Sequence, residues 1–227
     1  MRWMLMFVML FLPVVAAAQE APALKTEKDK LSYAMGMDLG NQLKSRSVNI
    51  DPAIFAQALK DALSGGKTLL TDAEAKAVIT ELQKAMLVKQ AAEAKVAGDK
   101  NKAEGDAFMA ANKAKEGVIS LPSGIQYKVL TAGTGKQPTI EDTVVCQYRG
   151  TLIGGKEFDS SYKTGQPATF PLKKVIKGWS EVLQLMPVGS KWQVVIPPAL
   201  AYGERGMGAD IGPNATLVFE IELVAIK

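Results

Sequence analysis

Histidine is absent from this 227-residue chain, and cysteine occurs once, at Cys146. The first absence removes Ser-His-Asp and Cys-His catalysis in their usual forms, together with His-containing metal sites. The second removes an internal disulfide and a Cys-rich zinc site. Val144-Val145 and Tyr148 flank Cys146 as a buried strand would, so the thiol is expected to be an inert part of a core. Charge of one sign is also scarce. The net charge is +4, and basic and acidic residues nearly balance in both 19–121 and 122–227. Neither half has the basic field of a nucleic-acid binder, and attraction to an anionic membrane is weakly supported.

Long apolar runs are missing too, apart from Trp3 to Val15. Arg2 precedes that run and Ala16-Ala17-Ala18 follows it, the three-part order of a signal peptide with cleavage before Gln19. It is too short for a transmembrane helix, and no cysteine follows it to carry a lipid. The expectation is a signal peptide over 1–18 and export, to the periplasm in a bacterium with two membranes. No transmembrane segment remains after cleavage, and outer-membrane association or cell-surface exposure stay open. An uncleaved anchor is the alternative.

Residues 26–116 carry helical signals. Thr26-x-x-Asp29 is a capping-box start, and Leu31, Met35, Leu39 and Leu43 then recur every fourth residue. Asp51-Pro52 sets an N-cap acceptor before a proline at the first helical position. Phe55, Ala58, Leu59, Ala62 and Leu63 form the apolar face of that second helix, and Gly65-Gly66 ends it. Thr71-x-x-Glu74 opens a third helix whose first part has Val78, Ile79, Leu82 and Met86 on one stripe. Beyond Val88 it becomes Ala, Lys, Glu and Gln, with Phe108 and Met109 its large apolar residues. A helix polar on nearly every face bridges solvent, so this part is read as a stalk that Gly98 and Gly105 weaken. Two short helices with so few large apolar residues cannot bury much surface alone. The simplest partner is a second copy, which predicts a homodimer through the N-terminal helices. Packing on the chain's own C-terminal domain is the alternative.

From Leu121 the period changes to that of strands: Ile125 to Leu130, Thr143 to Leu152, Lys191 to Ile196 and Thr216 to Ile226, separated by Gly and Pro turns. Val182 to Met186 reads as a brief core helix. The fold class is therefore α+β. A helical dimerisation domain (19–70) and a long connecting helix (71–121), whose first part packs with that domain, precede an antiparallel sheet wrapped around a short helix (122–227).

Four separated segments of 122–227 carry a specific signal, in order: Gly155-Lys156-Glu157-Phe158-Asp159-Ser160-Ser161, Val175-Ile176-Lys177-Gly178-Trp179, Pro198-Ala199-Leu200-Ala201-Tyr202-Gly203, and Ile211 to Phe219. Together they resemble the FKBP-type peptidyl-prolyl cis/trans isomerases. The helical half is similar in arrangement to the macrophage infectivity potentiators (Mip) and their periplasmic relatives. The resemblance implies an isomerase acting on X-Pro bonds of proline-containing polypeptides and unfolded client proteins, with chaperone capacity in the helical half. It implies neither cofactor nor metal, and it implies FK506- or rapamycin-type ligands. By resemblance, Trp179 is the floor on which the proline ring stacks, and Tyr148, Phe158, Phe170, Val175, Ile176, Ile211 and Phe219 surround it. Tyr202 donates to the substrate carbonyl and the Ile176 N–H holds a neighbouring one. Asp159 stands beside the twisting amide, oriented by Tyr148. Ala168, Met207 and Gly208 depart from the small eukaryotic members, as does a shorter stretch between Phe170 and Val175. These changes alter the wall on which a drug, or the residue before proline, would rest. Two rival readings are a binding module that holds a partner loop without turnover and a structural dimer with the stalk as spacer.

Overall fold

The structure is a computed structural model and describes residues 24–227; the expected signal peptide lies outside the described residues. Packing divides the chain into two compact units, one ending at Ala73 and one spanning Glu74–Lys227.

In the first unit, α1 (Glu27–Ser45) begins with the anticipated capping box: the Thr26 hydroxyl accepts from the Asp29 N–H, and the Asp29 carboxylate accepts from the Thr26 N–H. Helix α2 (Pro52–Ser64) starts on Asp51, whose carboxylate accepts from the N–H groups of Ala53 and Ile54. It stops at Gly65, in the left-handed region at φ 66°. Neither helix contains a buried residue. Their apolar stripes stay open, with Leu31, Met35, Leu59 and Leu63 all more than half exposed.

Helix α3 (Asp72–Lys113) runs 42 residues, about 63 Å at about 1.5 Å per residue. Solvent-facing pairs such as Lys95–Asp99 and Lys102–Asp106, both at 2.7 Å and one turn apart, support its outer face. Its inner face is not the bare stalk that composition suggests. Gly98, Gly105 and Asn112 are buried, because small side chains there let the domain that follows approach the helix backbone.

That domain is an antiparallel sheet of β1 (Val118–Ser120), β2 (Gln126–Thr131), β3 (Thr143–Leu152), β4 (Glu157–Ser160), β5 (Ala168–Pro171), β6 (Lys191–Ile196) and β7 (Leu217–Ile226). The strand order is β1-β2-β6-β7-β3-β4, with β5 also paired to β3. Alternation decides which face is inside. Val144, Cys146 and Tyr148 of β3, Trp192, Val194 and Ile196 of β6, and Leu217, Phe219, Ile221 and Leu223 of β7 are all buried. Helix α4 (Lys177–Leu183) packs into this core through Trp179, Val182 and Leu183. Gly178 brings it close: a Cβ there would stand 2.5 Å from Ile196 Cγ2. Cys146 has no exposed surface, and burial pushes its thiol up to about 12, which keeps it protonated and unreactive. The expected helix over Val182 to Met186 begins earlier than that segment, because the turn at Ile176 starts the winding at Lys177.

Candidate active site

A cavity of about 290 Å³ opens at one end of the core. Strand β3 supplies Tyr148, β4 supplies Phe158 and Asp159, β5 supplies Phe170, and β7 supplies Phe219. Val175 and Ile176 enter from the turn before α4, Trp179 from its first turn, and Tyr202 from the loop after β6.

Trp179 is the hub. Its ring meets Tyr148, Phe170 and Phe219 edge to face, at centroid distances of 5.2, 5.5 and 5.4 Å. Tyr148 meets Phe170 at 5.6 Å, and Phe158 meets Phe219 at 5.6 Å, both near perpendicular. Edge-to-face contacts of this kind add about 0.5–1.5 kcal/mol per pair beyond burial, so the box is stiff. The Trp179 Nε1 is buried with no acceptor among the described residues.

Polar groups enter at defined points. The Tyr148 hydroxyl donates to Asp159 Oδ2 at 2.7 Å, and the Ser160 N–H donates to Asp159 Oδ1 at 2.9 Å. Both carboxylate oxygens are thereby held. The Ser161 hydroxyl accepts from the Tyr148 N–H at 2.9 Å and also hydrogen-bonds the Gln147 side chain, tying β3 to the turn after Asp159. Burial raises the Tyr148 phenol well above the ordinary tyrosine value, and its bond to Asp159 raises it further. Burial raises Tyr202 as well, with the Asp159 charge contributing. Both are neutral donors at physiological pH. The Tyr202 hydroxyl and the Ile176 N–H have no protein partner among the described residues. The site thus offers a compact aromatic box with one oriented carboxylate and two unused donors, suited to an apolar ring flanked by carbonyls.

Nine of the ten site residues expected from sequence line this cavity. Ile211 does not. It is buried, and it exchanges backbone hydrogen bonds with Met207, which takes a place on the wall instead. Lys174 also lines the cavity, and no sequence signal set it apart from Lys173 and Lys177. Gly150 was overlooked. A Cβ there would stand 2.7 Å from the Phe158 ring and 2.8 Å from that of Phe219, so glycine is what lets the two rings meet. A glycine inside a strand is a signal of such close approach.

Comparison with known proteins decides the family. Residues 134–224 match the FKBP-type peptidyl-prolyl cis-trans isomerase family, and residues 28–129 match the domain amino terminal to FKBP-type isomerases. The chain belongs to the FKBP family. Among FKBP relatives, the outer membrane protein MIP of Legionella longbeachae is 49% identical over 211 residues, covering 93% of this chain and 91% of that protein. The peptidyl-prolyl cis-trans isomerase Mip of Coxiella burnetii is 46% identical over 226 residues, covering 100% and 98%. The crystal structure of FkpA from Escherichia coli aligns with a TM-score of 0.68 at 36% identity, covering 90% of this chain and 99% of that one. The chain is accordingly an FKBP-type peptidyl-prolyl cis-trans isomerase with the FKBP arrangement of helices followed by an antiparallel sheet.

Proposed function

We propose that isomerisation takes place in the aromatic cavity, and that the observation carrying this reading is the Tyr148–Asp159 hydrogen bond at its wall. Rotation of an X-Pro bond opposes a barrier of about 18–20 kcal/mol, because amide resonance is lost at the twist. No bond breaks, so the absence of histidine and of a reactive thiol is no handicap. In the twisted amide the carbonyl is less polar and the nitrogen more basic. A dry aromatic site favours that state over the planar, well-solvated one. Trp179 is the floor for the proline ring, with Phe158, Phe170, Val175 and Phe219 as walls. Tyr202 donates to the substrate carbonyl and the Ile176 N–H to a neighbouring one. Asp159 is already fixed by two donors, so its field acts on the twisting amide without reorganisation. Uncatalysed exchange takes tens to hundreds of seconds. Reaching about 100 per second needs about four decades, or about 5–6 kcal/mol, which a few oriented contacts supply.

The same proposal extends to the helical half. The protein is exported to the periplasm after loss of 1–18, pairs with a second copy through 19–70, and uses the paired helices to hold unfolded clients near residues 122–227. The open faces of α1 and α2 support pairing, since every copy presents the same unburied stripes and a two-fold arrangement covers both at once. FK506-type macrolides are candidate ligands of the box.

Asp159→Ala and Tyr202→Phe test the site. Each lowers kcat/KM for an X-Pro tetrapeptide ten- to a hundredfold, about 1.4–2.8 kcal/mol, with an unchanged far-UV circular dichroism spectrum. Wild-type turnover in both variants would remove the cavity from the mechanism. It would also favour the reading as a binding module for a partner loop.

A further inference from the structure

Along the last part of α3, Gly98, Gly105 and Asn112 are buried and Asn101, Phe108 and Met109 are half-buried. They recur at three- and four-residue steps, which is one face of a helix. Each small residue marks a contact. A Cβ at Gly98 would stand 3.2 Å from Asn214 Nδ2 and 3.3 Å from Pro213 Cβ, and one at Gly105 would overlap Thr216 Oγ1. Between them, Asn101 Nδ2 donates to the carbonyl of Pro213 at 2.8 Å. Further along, Asn112 Nδ2 donates to Gln126 Oε1 at 2.9 Å, and Gln126 Nε2 donates to the Met109 carbonyl at 2.9 Å. The face is therefore seated on the domain by directed bonds as well as by shape.

What it grips is the loop that carries part of the cavity wall. Between Tyr202 and Thr216 the one buried side chain is Ile211, so the loop has little core of its own. Its shape is kept by backbone bonds. The Asn214 N–H donates to the Gly203 carbonyl at 2.8 Å, and Met207 and Ile211 exchange bonds of 2.7 and 3.2 Å. Pro213 lies between those two links, and Tyr202 and Met207 sit at their cavity ends. A bond to the Pro213 carbonyl thus acts on both.

We propose that Asn101 is a positioning residue for the isomerase: by holding Pro213, it sets the loop that presents Tyr202 and Met207 to the cavity. The inference rests on the reading of Tyr202 as a donor to substrate. It makes this face of the connecting helix a support for the loop behind the cavity wall.

The test is a double-mutant cycle in the full-length protein, with kcat and KM measured separately on an X-Pro tetrapeptide. Asn101→Ala lowers kcat about three- to tenfold with KM changed less than about twofold, the scale of one neutral hydrogen bond. Asn101→Asp, which keeps the shape but loses the donor, gives the same loss. In a Tyr202→Phe background, Asn101→Ala costs clearly less than in the unmodified background, because a missing donor cannot be misplaced further and only the part acting through Met207 is left. An equal loss in both backgrounds would mean a general effect on stability and would overturn the proposal, as would wild-type kcat in both Asn101 variants. If Tyr202→Phe alone keeps wild-type turnover, the reading of Tyr202 fails and the inference goes with it. If Tyr202→Phe is impaired and the Asn101 variants are not, the inference fails alone.

Discussion

Leu63 of α2 is 80% exposed, whereas Leu183 of α4 has no exposed surface at all. The two leucines belong to helices of opposite circumstance. Helix α4 has seven residues and is surrounded by sheet, so Trp179, Val182 and Leu183 disappear into one core. Helices α1 and α2 are longer, better capped and bury nothing. Capping and periodicity make a helix, but only a partner surface makes its stripe stabilising. The strand-rich half carries its own partner surface, whereas the stripes of α1 and α2 are open among the described residues.

The largest expected effect separates the two leucines directly. Leu183→Ala destabilises the catalytic unit by about 2–5 kcal/mol, the range for a leucine truncated in a packed core. Leu63→Ala leaves that unit within about 0.5 kcal/mol of the unmodified chain. Tryptophan fluorescence during denaturant unfolding distinguishes them, since Trp179 and Trp192 are both buried in the catalytic unit. Equal losses would erase the contrast.

Alkaline pH acts on the packed half by a smaller amount. Burial raises both Tyr148 and Tyr202 above the ordinary tyrosine value of about 10. Above that pH the unfolded chain loses phenolic protons that the native protein keeps, so the unfolded state binds fewer protons. Stability contributed by these groups is full below about pH 10 and falls as pH rises towards their folded values. Unfolding curves from pH 8 to pH 11 should show that decline, while tetrapeptide turnover stays level up to about pH 9.5. An activity step well below pH 9.5 would contradict neutral tyrosine donors.

The smallest effect concerns the rim. Lys174 lines the cavity and has no ion-pair partner among the described residues, in contrast to Lys173, which pairs with Glu141 at 2.5 Å. Lys174→Glu should shift the ratio of rates for Glu-Pro against Lys-Pro peptides about two- to threefold towards the latter, because exposed charge pairs are worth under about 1 kcal/mol. The shift should fade in 1 M salt. A ratio that ignores both the substitution and salt would remove Lys174 from substrate selection.

Much of this arrangement was legible in the residues. Thr26-x-x-Asp29 and Asp51-Pro52 mark helix starts through chemistry that is local to a few residues, and the structure begins α1 and α2 there. Thr143 to Leu152 and Lys191 to Ile196 are strands at the expected ends, because alternation persists long enough to be read. Val118–Ser120 and Ala168–Pro171 escaped notice, since three or four residues are too few to show a period and pairing with β2 and β3 decides them. The cavity residues were recognisable because their motifs travel together. Ile211 travels with the same motifs but lies buried beside Met207, since a motif records which residues recur and not which of them face the cavity. The face of α3 at 98–112 was hidden for another reason. Glycine and asparagine among Ala, Lys and Glu look like solvated surface, and only the distances to Pro213, Asn214 and Thr216 reveal a contact.

The division of labour between the halves is tested most directly by charging the open stripes of α1 and α2 in the full chain with Leu31→Glu and Leu59→Glu. Light scattering reports self-association, and paired assays follow a tetrapeptide and the proline-limited refolding of a protein. A tetrapeptide touches only the cavity, whereas an unfolded chain held by paired helices presents its prolines at raised local concentration. The expected result is a monomer whose tetrapeptide kcat/KM stays within about threefold of the unmodified chain, under about 0.7 kcal/mol, and whose catalysed refolding slows at least about tenfold. A variant that remains dimeric, or a monomer that refolds protein substrates as fast as the unmodified chain, would contradict it.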